Sequence, residues 1–262
     1  MRVHVVSDVH GNSDALARAG EGADALVVLG DLIDFVDYHD HGSGILGRVF
    51  GAEKVAKFAQ LRRNRQLKEL GEYARSLWSS LDNASDVVQE ALFEQYTRLF
   101  AAMTVPTYAT PGNVDVPDLW SRFARDGLTF LDGEVAEIDG LRFGFVGGAL
   151  LAPGGRVRRS GAWFPYLRTE DDYNASVGKL TEVDVLCSHI PPAVPELTYD
   201  VVARRTELGS YALRELITEQ RPRWSLFGHV HQPLSARMRF ASTDCINVGH
   251  FQRTQVPHVL HW

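Results

Sequence analysis

Residues Val3-His4-Val5-Val6 form a short apolar run that stops abruptly at Ser7-Asp8-Val9-His10-Gly11, and the same event recurs along the chain. Ala25 to Leu29 runs into Gly30-Asp31-Leu32-Ile33-Asp34, and Val105 to Thr110 into Pro111-Gly112-Asn113-Val114-Asp115. Val183 to Cys187 leads to Ser188-His189, and Trp224 to Phe227 to Gly228-His229-Val230-His231. Runs of four to six residues rich in β-branched and aromatic side chains read as buried strands. Alternated with helical stretches, they predict an α/β protein with a largely parallel sheet. In such a sheet the loops after the strands gather at one edge, where ligands bind. That edge receives Asp, Asn and His, which are donors for a metal ion.

Between the second and third runs the strand pattern vanishes. Leu67, Leu70, Tyr73, Ala74, Leu77, Trp78 and Leu81 recur at helical spacing, as do Val88, Ala91, Leu92, Tyr96, Leu99 and Met103. A third helical stretch is expected over Ala52 to Arg65, and Asp86 with Gln89 suits a capping box. The block is too long for an ordinary crossover. It is read as a cap-like helical insertion at about 37–103 within one domain spanning 1–262. Elsewhere helices are expected at Ser13–Ala19 behind an Asn12 or Ser13 cap, from Val116 or Pro117 to Arg125, at Asp171–Leu180 and at Glu207–Gln220. Arg237–Phe240, Asp244–Val248 and Val256–Trp262 read as strands closing a second sheet.

Several function classes are disfavoured by composition. A formal charge of -6 gives no broad basic field for nucleic acid, although metal ions can supply positive charge locally for a phosphorylated substrate. Cys187 and Cys245 are too few for a disulfide framework and fit a reducing cytoplasm, the expected location. No apolar stretch has the length of a membrane span or forms a leader.

Collected in order, the strand-end donors are Asp8, His10, Asp31, Asn113, His189, His229 and His231. Mixed oxygen and nitrogen ligation of this number suits two transition-metal ions sharing a carboxylate. With Gly30-Asp31-x-x-Asp34, Gly112-Asn113 and Gly228-His229-x-His231, the set resembles the five signature blocks of the calcineurin-like metallophosphoesterase family, in order and spacing, from residue 8 to residue 231. The resemblance implies a four-layer α/β/β/α sandwich of two mixed sheets. It also implies a dinuclear centre of divalent or mixed-valence ions, with Mn, Fe, Zn, Mg, Co and Ni all open. Its ligand roles place Asp8, His10 and His231 on one ion, Asn113, His189 and His229 on the other, and Asp31 between them. The implied chemistry is attack on phosphorus by a metal-bridging hydroxide.

One position departs from the family pattern. Members that cleave phosphomonoesters often carry a histidine after the Gly-Asn pair, near the leaving oxygen, and here that residue is Val114. The favoured expectation is therefore a phosphodiesterase on a small or nucleotide-like molecule. The alternatives are a phosphomonoesterase or serine/threonine protein phosphatase; a nuclease is disfavoured by charge, and a scaffold with a vestigial site by the complete donor set. Asp31, Asn113, Asp115 and Asp34 are the expected catalytic groups. Asp34, without an imidazole partner, either pins its turn or contacts neighbouring groups, and Asp115 either caps the next helix or replaces the missing acid. Asn12 and Asn113 are candidate substrate contacts, as are Arg156, Arg158 and Arg159 on a glycine-flanked loop. His39 and His41 read more readily as a polar loop, and His250 shows no ligand pattern. No membrane partner is expected, and a homo-oligomer is compatible with the sequence.

Overall fold

Successive residues of β1 (Arg2–Val6) point to opposite sides. Val3 and Val5 face one way and His4 and Val6 the other, yet all four are buried. A strand with two dry faces needs a layer on each side, which sets the architecture of this computed structural model, describing residues 1–156 and 162–262.

After β1 come α1 (Ser13–Ala19), β2 (Ala25–Val28) and four helices, α2 (Gly44–Phe50), α3 (Ala52–Arg63), α4 (Leu67–Trp78) and α5 (Ala84–Ala102). β3 (Thr107–Ala109) precedes a 3-10 helix over Pro117–Phe123, then β4 (Leu128–Phe130), β5 (Glu134–Ile138), β6 (Leu141–Val146) and β7 (Ala149–Leu150). β8 (Leu167–Arg168), α6 (Glu170–Val177), β9 (Val185–Ser188), α7 (Pro195–Thr198), β10 (Tyr199–Asp200) and β11 (Arg205–Thr206) follow. The remainder is α8 (Tyr211–Gln220), β12 (Trp224–Phe227), β13 (Arg237–Phe240), β14 (Thr243–Asn247), α9 (Phe251–Thr254) and β15 (His258–His261).

Two large mixed sheets result, one ordered β15-β1-β2-β3-β4 and the other β13-β14-β12-β9-β6-β5. Val3, Val5, Val27 and Leu260 of the first meet Phe143, Phe145, Val185, Leu226 and Ile246 of the second in a core between the sheets. Val6, Leu26 and Val28 face outward onto α1, α2 and α5. Val146, Leu186 and Phe227 face the opposite way, onto α6, α7 and α8. This is a four-layer sandwich, held by burial on three successive interfaces.

The structure revises several sequence expectations. The last strand lies at the edge of the first sheet, antiparallel to β1, rather than in the second: Val3 pairs with Leu260 and Val5 with His258. β15 buries only Leu260, between half-buried and exposed residues, a pattern that suits the edge of either sheet. The helix expected from Val116 or Pro117 is present as a 3-10 helix over Pro117–Phe123, ending two residues early, and α8 starts at Tyr211 because Ser210 caps it, its hydroxyl oxygen accepting from Leu213 N. Asn83, not Asp86, precedes α5, and no side chain caps that end, so the capping box does not form. Asn12 does cap α1, accepting from Ala15 N at 3.1 Å.

The helical block divides by packing. α3 and α4 lie against each other and bury few side chains, with Leu67 exposed. α5 instead packs on α1, and its Val88, Leu92, Gln95, Tyr96, Leu99 and Phe100 are buried. No helix among the described residues is long and apolar enough to cross a membrane.

Candidate metal centre

β1, β2 and β3 run parallel, as do β9, β12 and β14, so both sets bring the loops after their strands to one edge of the sandwich. Pairing continues past the strands: Asp8 N donates to Gly30 O at 3.0 Å, His10 N to Asp31 O at 2.9 Å and Gly11 N to Leu32 O at 2.7 Å. Asp8, His10, Asp31 and His229 all occupy the left-handed region, with φ of 59°, 42°, 51° and 67°. Such strain in non-glycine residues persists only where surrounding structure imposes it. The turns are also tightly packed: a Cβ on Gly112 would overlap Asp31, and one on Gly228 or Gly249 would overlap Asp8. The glycines of the sequence blocks thus serve close backbone approach to the two carboxylates.

The seven expected donors converge. His231 Nε2 lies 3.3 Å from Asp8 Oδ1 and 3.4 Å from His10 Nε2, which is 4.0 Å from Asp31 Oδ2. His189 Nε2 lies 3.4 Å from Asp31 Oδ1 and 3.0 Å from Asn113 Oδ1. His229 joins through its backbone, whose N–H donates to Asp8 Oδ2 at 3.1 Å, and its ring centroid is 5.1 Å from that of His189. Asp8, His10 and His231 form one set of donors close enough for a single ion; Asp8, Asp31 and His189 form another.

The protonation pattern tests whether cations fit. His189 Nδ1 lies 2.8 Å from the carbonyl oxygen of Leu29, so Nδ1 carries the proton and donates it. Burial pushes the His189 imidazolium below the usual histidine range, leaving a neutral ring with a bare Nε2. That lone pair faces two oxygens, Asp31 Oδ1 and Asn113 Oδ1, and neither an amide oxygen nor an ionised carboxylate has a proton to give it. Burial, together with the neighbouring Asp8 charge, raises the Asp31 carboxyl to about 7. Burial also lowers His10 to about 3 and His229 to about 4, aided by the charges of His231 and His189 respectively. A buried cluster of acceptors facing acceptors is what divalent ions satisfy, and the donor set fits them.

The other expected residues fall in distinct places. Asp115 is fully enclosed: its oxygens accept from Leu32 N at 3.1 Å, Gly112 N at 2.8 Å and Tyr96 Oη at 3.2 Å. It ties the Asp31 turn to the Asn113 turn, and burial followed by the Asp31 charge raises its carboxyl to about 6. Val114 N donates to Asp31 Oδ1 at 2.9 Å while its side chain packs into the helix-side core. Asn12 uses its amide nitrogen on Gln252 O at 3.3 Å, so both ends of its side chain are engaged by the protein. Arg156 is exposed on the loop after β7, and Arg158 and Arg159 lie outside the described residues.

Asp34 is held by its backbone. Its N–H donates to Gln95 Oε1 at 2.9 Å and its carbonyl accepts from Gln95 Nε2 at 3.0 Å. Its carboxylate, on a residue only 8 % exposed, has no hydrogen-bond partner among the described residues. It lines a cavity of about 290 Å³ that shares His10 with the donor cluster and is bounded by α2, α5 and α9.

His250 shows no ligand pattern in the sequence, but its ring stacks on His231 with centroids 4.0 Å apart, and it also lies edge-on to His10. The signal was Gly249-His250 after a strand, the same punctuation as the other donors. Gln95 and Tyr96, which brace the loops from α5, carried no signal beyond helical periodicity.

A family model described as calcineurin-like phosphoesterase matches residues 1–233. Two crystal structures share the fold. One is 16% identical, with TM-score 0.60, over 96% of this chain and 91% of its own. The other, TT1561 of Thermus thermophilus, is 14% identical, with TM-score 0.56, over 98% of this chain and 97% of its own. No curated protein matches the chain.

Proposed function

Since the chain belongs to the calcineurin-like phosphoesterase family, whose members are dinuclear metal-dependent phosphoester hydrolases, we propose that it hydrolyses phosphodiesters of a small or nucleotide-like molecule. The observation that carries this reading is the apolar side chain at Val114, beside a fully engaged Asp115. No side chain at that turn offers a proton to a departing alkoxide. In the loose transition state of a phosphomonoester the bond to that oxygen is largely broken and negative charge develops on it, so a monoester depends more on such a donor.

Within this reading Asp8, His10 and His231 would hold one ion and Asn113, His189 and His229 the other, with Asp31 between them. Mn, Fe or Zn suit these donors. When bound, the ions supply Lewis acidity and acidify water. The chain's own contributions are positional. Leu29 O keeps the proton on His189 Nδ1, Val114 N orients Asp31, and Gly228, Gly249 and Gly112 admit the carboxylates. With Asn113 Oδ1 turned to His189, Nδ2 has no protein partner among the described residues and serves to donate to a phosphoryl oxygen. We place the enzyme in the cytoplasm, consistent with two free, buried cysteines.

The test is kcat/KM over a panel of mono- and diesters after reconstitution with each metal. At least a tenfold preference for a diester is expected; a monoester cleaved faster than every diester overturns the reading.

A further inference from the structure

The cavity beside His10 has a lining unlike that of most ligand pockets, which are largely apolar. Every lining residue is polar or glycine, so neither an acyl chain nor a flat base finds an apolar wall there. Its charges also cancel. Arg48 and Arg98 face Asp34 and Asp37, and Glu94 bridges both arginines, at 3.8 Å from Arg48 Nη1 and 2.9 Å from Arg98 Nη2. A second phosphate group would meet no net positive charge. What the cavity lacks is a donor for Asp34, whose buried carboxylate no protein group serves. The space before it is kept open by Gly11 and Gly44: a Cβ on either would come within 3.1 Å of the Asp34 side chain.

Uncharged hydroxyl groups meet these requirements: they donate to a carboxylate, accept from a guanidinium and bring no charge. We propose that this cavity binds the polyhydroxylated alcohol portion of the substrate, a glycerol- or sugar-like group, with the Asp34 carboxylate accepting hydrogen bonds from its hydroxyls. The inference rests on the phosphodiesterase reading, and it makes Asp34 a specificity residue facing the substrate alcohol.

The test uses two chromogenic diesters that differ only in hydroxylation, glyceryl and n-propyl 4-nitrophenyl phosphate, with Mn-loaded protein at about pH 8, where Asp34 is ionised. A preference of about tenfold or more in kcat/KM for the glyceryl ester is expected, the range of a hydrogen bond to a charged acceptor. Asp34→Ala should reduce that ratio to about threefold or less, and Asp34→Asn should keep part of it. Equal rates in the wild type, or an unchanged ratio in a folded Asp34→Ala protein, overturn the proposal. Calorimetric titration of wild type with glycerol 3-phosphate and propyl phosphate gives a second readout that needs no turnover or variant. If neither diester is hydrolysed, the phosphodiesterase reading fails, while tenfold tighter binding of the glycerol ester keeps the polyol subsite and equal binding removes it.

Discussion

At the residue Asp34, burial in first place and the neighbouring Asp37 charge in second raise the carboxyl from 3.8 to about 7. Between those values the folded protein holds a proton that the unfolded chain has released. The stability associated with this group is therefore complete below about pH 4 and is lost as pH rises towards 7. Asp34→Asn should be more stable than wild type by up to a few kcal/mol at pH 7 and by much less at pH 4.5. Urea unfolding of the metal-free proteins at the two pH values checks this; a pH-independent difference would refute it. Asp31, raised to about 7 by burial and by Asp8, must lose its proton before it can ligate. Manganese affinity should accordingly climb about tenfold per pH unit below 7 and flatten above. Calorimetry at pH 6 in buffers of different ionisation enthalpy should show proton release on binding. The donors themselves were legible in the sequence because each ends an apolar run. The freed Asp34 carboxylate was legible only in part: the missing imidazole partner was visible at Val114, but the cavity that receives the carboxylate depends on Gly44 and α2, a short helix with no periodic signal of its own.

Among the elements, α5 determines the geometry of the site without contributing a donor. Gln95 clasps the Asp34 backbone through both its N–H and its carbonyl, and Tyr96 Oη accepts from Val116 N at 2.7 Å while donating to Asp115. Gln95→Ala leaves the buried Asp34 N–H unpaired and its carbonyl with Ile45 N as sole donor, and a loss of about 1–3 kcal/mol in unfolding free energy is expected. Manganese affinity should fall in parallel as the Asp31–Asp34 turn loosens; an unchanged affinity would show that the turn is held by other contacts. Gly112→Ala should be harsher, since its Cβ has no room beside Asp31. The helical periodicity of residues 88–103 announced α5 correctly. Its placement in the core did not follow, because a stripe of apolar residues does not say which surface it meets. The same limit applies to β15, whose pattern suits either sheet and whose partner is fixed only by its register with β1.

Over the whole molecule, the donors divide between the layers. Asp8, His10, Asp31 and Asn113 follow strands of the first sheet, and His189, His229 and His231 follow strands of the second. Metal bound only by the folded state raises stability by about 4 kcal/mol at a thousandfold excess over Kd. For a chain of this size, chelation should lower Tm by roughly 8–16 °C. Differential scanning calorimetry with and without EDTA measures it, and an unaltered Tm would mean that the site is not assembled by metal. The sheets are also nearly consecutive in the chain. β1 to β4 precede Gly133, and the second sheet is built from β5 onward, with β15 alone among the described strands returning to the first. A cut near Gly133 would separate the two groups of donors onto two polypeptides, neither of which holds a complete centre. Such halves should recombine in proportion to free manganese, making their reassembly a titratable reporter of the ion.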